Sequence, residues 1–333
     1  MEEIDRQLTA LARSRTGDQN AVASEVVALP GHAGQSYSFK LETGSSDSER
    51  LVLRLAPEGV RIAGPADVVR QARVMESLST TGVPVPPVKW YDNDPRWFGR
   101  PYFVVGFVTG DKLALGEREF SAIEQRRLAE ATLRMLATLH SVPWEPRHES
   151  WGEPFTLTAE LERLDTLLDR PTLDPGVVGR AADLRAALRS TIPRAPRIGC
   201  VHGDLQWSNC LYRDGRLLAV IDWELSQIGA VLLDLGWLCL FSDKESWVGE
   251  TQLVPAHVPA PAELIEMYRA QATRTVSEGE AQWFRAFASY RFGVITAFNL
   301  MLHRRGKRPD PTWEDIALSA PRLFERGLGL LGR

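Results

Sequence analysis

The apolar positions of this chain change their spacing once. Up to about residue 108 a period of two dominates. Glu25–Leu29 is rich in β-branched residues, Tyr37–Glu42 alternates, and RLVLRLA at Arg50–Ala56 reads as a strand, with turn-like PGHAGQS and TGSSDSE between them. Helical spacing appears twice in this stretch: Ile4, Leu8 and Leu11 within residues 1–20, and Val68, Ala72, Met75 and Leu78 within Pro65–Ser79. The segment GVPVPPVKW must be extended, because a residue before proline is pushed out of the helical region, and PYFVVGFV at Pro101–Val108 reads as a buried strand. Beyond residue 110 the period becomes 3.6. Helices are expected at Ile123–His140, Leu157–Leu168, Ala181–Leu188, Leu232–Phe241, Ala262–Arg269, Ala281–Leu302 and Trp313–Leu331. The expected fold class is α+β, with a five-stranded antiparallel sheet and one helix in the N-terminal part and a mostly helical C-terminal part. The boundaries read as an N-terminal helix over 1–21, a β-rich lobe over 22–108 and a helical lobe over 109–333, with a linker near Thr109–Leu115.

Composition narrows the function classes. A length of 333 residues suits roughly two domains or lobes. A formal net charge of −4 gives no pull toward nucleic acid. No apolar run approaches the roughly 20 residues of a membrane helix, and MEEIDRQLTALARSRTG is no signal peptide, so a cytoplasmic protein is expected. The cysteines Cys200, Cys210 and Cys239 are odd in number and lack CxxC-type spacing, so they read as small buried hydrophobes. Only five of the 39 basic residues are lysines.

One stretch breaks the helical run with polar groups: VHGDLQWSNCLYRDGRLLAVIDWE, residues 201–224. Asp214–Gly215 is suited to a two-residue hairpin loop. With such a loop Arg213 faces Arg216 and Asn209 faces Val220, which sets Asn209 and Asp222 on one side of the hairpin, about 7 Å apart along the strand. A carboxamide and a carboxylate so placed can share a hard cation, and Mg²⁺ takes one or two carboxylates from a protein and the rest of its oxygens from phosphate and water. Asp204 stands five residues before Asn209, on a loop. A base, a metal-binding Asn and a strand-borne metal-binding Asp in that order form the layout of phosphoryl transfer. Taken singly, each of these residues reads more readily as the cap of a turn, and it is their combination that points to chemistry.

At these residues the chain resembles the aminoglycoside phosphotransferase (choline-kinase-like) family of small-molecule kinases, which shares the two-lobed protein-kinase-like fold. HGDLQWSN at 202–209 is similar to the family's catalytic loop and IDWE at 221–224 to its metal-binding segment, with further likeness at GVPVP (82–86) and RPYFVV (100–105). The resemblance implies Asp204 as catalytic base and Asn209 and Asp222 as Mg²⁺ ligands. It also implies His202 as a brace for the loop, and Asp234 in LLDLGWL as the aspartate that tethers it. In the N-terminal lobe it implies a phosphate loop at PGHAGQS with Gly34, Gln35 and Ser36. Arg54 would be the cation on the α and β phosphates, with Gln71 steadying it, and the backbones of Gly106 and Val108 would meet adenine. Three positions depart from the family pattern. Arg54 stands for lysine, Gln71 stands for the paired glutamate, and GAVL at 229–232 stands for Gly-Asp-Pro. An arginine fork is a different donor from an ammonium, and Gln brings no charge.

The acceptor side is expected among the C-terminal helices. Glu224, Asp243 and Trp247 are candidates for substrate contact, and Trp283, Arg285, Tyr290, Arg291, Asn299 and His303 supply further aromatic and cationic groups. The leading expectation is a phosphotransferase that moves the γ-phosphate of ATP, or another nucleoside triphosphate, with Mg²⁺, to an alcohol group of a small molecule. It would act as a monomer or homodimer. The rivals are a nucleotide-binding pseudokinase, motivated by Arg54 and Gln71, and a metal-dependent phosphohydrolase using His202, Asp204, Asn209 and Asp222.

Overall fold

The computed structural model describes residues 2–29, 35–44, 48–249, 251–272 and 275–333. The chain divides into two compact units. The first comprises Met1–Gly110 with Glu149–Trp151 and Leu218–Ser226; the second holds Asp111–His148, Gly152–Leu217 and Gln227–Arg333.

In the first unit, strands β1 (Val22–Leu29), β2 (Gln35–Glu42), β3 (Ser48–Leu55), β4 (Val88–Asp92) and β5 (Tyr102–Gly106) form one sheet in the order β1-β2-β3-β5-β4. Every neighbouring pair is antiparallel, as the alternating pattern leads one to expect. β1 carries one extra residue between Ser24 and Val27, where Glu25 takes a φ of 51°, a bulge that a strand pattern does not announce. Strand β3 buries Leu51, Leu53 and Leu55 on one face, beside Phe39, Leu41, Tyr102 and Val104 and against Leu8, Leu11 and Ala12 of helix α1 (Glu2–Thr16). Two-residue alternation therefore puts Val52 and Arg54 on the opposite face. Helix α2 (Val68–Leu78) packs against β4 and β5. It starts at Asp67, whose side chain accepts the Arg70 N–H.

The two outlying segments join this unit through α2. Arg70 donates to the backbone oxygen of Glu224 at 2.6 Å, to the backbone oxygen of Ser226 at 2.8 Å and to its hydroxyl at 3.3 Å. Trp151 donates to Ser77 Oγ at 2.9 Å and meets Trp223 edge-on. A boundary drawn at residue 108 could not include these pieces, because contacts of such long sequence separation leave no periodic signal.

The second unit is built on the 27-residue helix Glu278–Arg304, which buries residues on almost every side. Helices Leu157–Leu168, Ala181–Ser190, Leu232–Leu240 and Ala320–Leu330 pack on it, while α3 (Ala122–Ser141) packs against Pro261–Gln271. Gly236 permits one of these approaches: a Cβ there would stand 2.4 Å from the Phe284 carbonyl oxygen. α3 and the long helix both begin with capping boxes, Ser121–Glu124 and Ser277–Glu280. The single helix expected over Trp313–Leu331 is in fact two, Thr312–Ala317 and Ala320–Leu330, because Pro321 falls in the first turn of the second and cannot continue the first. β6 (Ile198–Val201) pairs antiparallel with β9 (Gln227–Ala230), a sheet that the sequence does not foreshadow. Between them lie β7 (Cys210–Arg213) and β8 (Arg216–Val220).

Candidate functional site

The stretch after β6 is fixed from its backbone outward. The N–H groups of His202 and Gly203 both donate to the Asp234 carboxylate, at 2.8 Å each, one to each oxygen. Asp234 is fully buried in the first turn of Leu232–Leu240. Its Oδ2 also lies 3.4 Å from His140 Nε2, and His140 Nδ1 is 2.7 Å from the Tyr268 hydroxyl. Burial holds His140 below the usual histidine value despite this carboxylate, and it pushes the Tyr268 hydroxyl well up. Gly203 turns the chain at a φ of 84°, open to glycine at little cost. His202 is buried, and its Nδ1 accepts the Asp204 N–H at 3.2 Å. His202 and Asp234, expected as brace and tether, are both buried and hydrogen-bonded to the backbone of the loop.

Asp204 is only partly buried, and its carboxylate is surrounded by donors. Trp237 Nε1 donates to Oδ1 at 2.8 Å, Asn209 Nδ2 donates to Oδ2 at 3.0 Å, and Gln206 Nε2 lies 3.2–3.3 Å from both oxygens. Asn209 Nδ2 also donates to the Asp204 backbone oxygen at 2.9 Å. The amide nitrogen of Asn209 is thus spent on Asp204, and the amide oxygen is the end left to face a cation. Trp237 was not foreseen as a site residue. The signal was present: it lies three residues after Asp234 on the same helix face.

The hairpin turn is two residues long, as expected. Asp214 and Gly215 have φ of 51° and 72°, both left-handed, as a type I′ turn requires. The expected facing of Asn209 and Val220 does not follow from it, however. Asn209 lies in a 3₁₀ turn (Trp207–Asn209) before β7 begins, and Asp222 follows the end of β8. Strand alternation cannot set the direction of either side chain. Asp222 instead takes left-handed angles of 66° and 58°, a conformation that Asp tolerates but that costs most L-residues roughly 1–2 kcal/mol. Its side chain caps nothing, and its carboxylate is half-buried. An amide oxygen and a carboxylate are each ligand types that a hard divalent cation such as Mg²⁺ accepts.

In the first unit the Arg54 environment differs from the expected one. Its guanidinium lies 3.1 Å from Glu224 and 3.3 Å from Ser36 Oγ. Gln71 is not its partner: that side chain is buried, with Nε2 donating to the Pro65 oxygen at 2.9 Å. Glu224, read as a possible acceptor contact, instead supplies the acidic partner, with Arg70 gripping its backbone. Gln35 is exposed at the start of β2, where its Oε1 takes a bond from Arg100. Gly34 lies outside the described residues. Of the two backbone groups expected at adenine, the Gly106 N–H is already given to the Pro87 oxygen at 2.8 Å. No backbone hydrogen bond of Val108 occurs among the described residues.

Two other acceptor candidates are internal. Asp243 is 5% exposed and held by Arg285 at 3.1 Å and Arg326 at 2.9 Å. Trp247 is buried against Phe241 and Phe292 and donates to the Leu240 oxygen. Both are packing groups, because aromatic and charged residues at helical spacing look alike whether they face a ligand or a core. The three cysteines are free and buried, and burial pushes each thiol up to about 12.

The chain is 26% identical over 330 residues to the Arabidopsis thaliana protein named probable acyl-CoA dehydrogenase IBR3, covering 91% of this chain and 39% of that one. It is 28% identical over 223 residues to human acyl-CoA dehydrogenase family member 11, covering 63% of this chain and 27% of that one. The chain therefore spans well under half the length of these curated relatives. Among solved structures, a Ralstonia eutropha protein provisionally described as an aminoglycoside phosphotransferase is similar with a TM-score of 0.80, at 23% identity over 98% of both chains. A choline/ethanolamine kinase family protein of Mesorhizobium loti gives 0.60 at 19% identity, covering 99% of this chain and 95% of that one. These likenesses give the fold: α+β and protein-kinase-like, with an antiparallel sheet in the N-terminal part and helices in the C-terminal part. No helix among the described residues is long and apolar enough to cross a membrane. The sequence model of the phosphotransferase enzyme family matches residues 27–280, a span that holds Arg54, Asp204, Asn209, Asp222 and Asp234, and the chain belongs to that family.

Proposed function

We propose that this protein transfers the γ-phosphate of ATP to a hydroxyl group of a small molecule, with Asp204 as the general base. The observation that carries the reading is the setting of Asp204. Its carboxylate is partly exposed, aimed by Trp237 and Asn209, and carried on a loop whose backbone is pinned to buried Asp234. Such an aspartate can accept the proton of an attacking hydroxyl without first having to be oriented. Asn209 and Asp222 would hold Mg²⁺, which when bound offsets charge on the transferred phosphate. Arg54, backed by Glu224, would bind the nucleotide phosphates, and the Val108 backbone would be open to the adenine ring. Asp204 takes the hydroxyl proton as that oxygen bonds to the phosphorus, and the bond to the leaving diphosphate breaks.

The pseudokinase reading was motivated by a missing acid beside Arg54, and Glu224 supplies one. The phosphohydrolase reading needs additional acidic or histidine ligands, and no cluster of three or more His, Cys, Asp or Glu suited to a metal occurs among the described residues.

The nucleotide half is tested by titrating ATP with and without Mg²⁺. Asp222→Asn keeps a side chain that tolerates left-handed backbone and removes the charge. It should leave the fold intact and abolish most of the Mg²⁺ dependence of ATP binding. Arg54→Ala should weaken ATP by about 1.5–3 kcal/mol through loss of charge-assisted bonds, roughly 10- to 150-fold. Unchanged affinity in both variants would remove the assigned nucleotide site. The acceptor half calls for a hydroxyl-compound screen that includes aminoglycosides, choline and hydroxylated acyl-CoA thioesters, the last because the curated relatives are named acyl-CoA dehydrogenases.

A further inference from the structure

Arg291 lies mid-way along the long helix Glu278–Arg304 and is 6% exposed. Its guanidinium sits over the Trp237 ring, 4.4 Å from the ring centre. Its Nε is buried without a hydrogen-bond partner, and no hydrogen bond or salt bridge of this side chain occurs among the described residues. The other arginine buried among the described residues, Arg285, is not left so: it has Asp243. Three acids attract Arg291 through charge without a hydrogen bond, Glu160, Asp204 and Asp234, and Glu160 spends its own oxygens on Arg163 and Gln227. Burial holds Arg291 below the usual arginine value. A stacked indole returns part of the cost of burying a cation, but not the hydrogen bonds of a five-donor fork.

The position matters as much as the missing partner. The indole under Arg291 is the one whose Nε1 donates to Asp204, and Phe241 and Phe292 hold that ring edge-on. A cation is thus kept one indole away from the carboxylate that would receive the acceptor's proton. We propose that Arg291 binds an anionic group of the acceptor, so that the hydroxyl presented to Asp204 belongs to a molecule bearing a carboxylate or phosphate. This rests on the phosphotransfer reading and adds the acceptor's charge to it. A cationic acceptor, such as an aminoglycoside or choline, would meet like charge here.

The test uses the full chain with short hydroxycarboxylates, inorganic phosphate and hydroxyalkyl phosphates, each hydroxycarboxylate paired with its neutral amide. Binding is read by calorimetry and by thermal unfolding, in wild type and Arg291→Met. Wild type should bind the acids at least tenfold more tightly than the amides, and Arg291→Met should lose that preference. With no ligand, Arg291→Met should melt higher than wild type, because a buried charge that lacks a hydrogen-bonded partner is replaced by a fitting apolar chain. Equal binding of acids and amides, an unchanged preference in the variant, or a lower melting temperature for it would overturn the proposal. Preference for hydroxyalkyl phosphates over hydroxycarboxylates would identify the group as phosphate. Binding of inorganic phosphate that Arg291→Met leaves unaltered would locate that ion elsewhere and count against the site. ATP turnover is followed separately. Arg291-dependent anion binding without turnover would remove the phosphotransfer reading alone, whereas turnover with no charge preference would remove this inference alone.

Discussion

Asp204→Asn is expected to lower turnover by roughly 10²–10⁴ while leaving the affinity for nucleotide nearly unchanged. The amide keeps the shape of the carboxylate and can still accept from Trp237 Nε1 through its oxygen. What it loses is a site for the acceptor's proton, and its new NH₂ group must face the Asn209 Nδ2 donor or Gln206. Some misorientation of the loop therefore adds to the loss of basicity. Neither effect touches Arg54 or Asp222, so the nucleotide is bound nearly as before, with only the orientation of Asn209 disturbed. Steady-state kinetics with a true acceptor, beside ATP binding by calorimetry, separates the two. A variant that lost ATP affinity in step with turnover would make Asp204 a ground-state binding residue and not a base.

Asp234→Ala should destabilise the helical unit strongly, by about 3 kcal/mol or more. Asp234 accepts two backbone N–H groups and faces His140, all buried. Removing it strands the His202 and Gly203 donors away from water, each at about 1–3 kcal/mol. The loop that carries Asp204 would lose its anchor, so activity should fall even at temperatures where the variant is folded. Chemical denaturation and a kinetic assay at low temperature check both parts. A variant with wild-type stability would mean that water replaces the carboxylate, and Asp234 would no longer be the tether.

Much of the architecture was legible because it is carried by local pattern. RLVLRLA and PYFVVGFV alternate or run apolar as strands do, and the helices of the C-terminal part keep one apolar face. The Asp214–Gly215 turn was legible for the same reason, since its conformation is a property of two residues. The direction of Asn209 and Asp222 was not, because strand geometry was extended one residue too far at one end and two at the other. Partnerships across long separations were also hidden. Arg54 and Glu224 are 170 residues apart, and Gln71 looked like the partner only because family pattern put an acid there. Trp237 shows the opposite case: its spacing from Asp234 marked it, yet an indole in an apolar helix reads first as core.

In the proposed reaction the carboxylate of Asp204 serves transfer of phosphate from nucleotide to hydroxyl. The most direct measurement follows the γ-phosphate itself, by phosphorus NMR of ATP with Mg²⁺ and an accepted hydroxyl compound. The account predicts a new phosphomonoester signal that grows in step with ADP, requires Mg²⁺, and is lost to within the residual rate in Asp204→Asn. Inorganic phosphate released without ATP, or a phosphomonoester formed equally fast by Asp204→Asn, would contradict it.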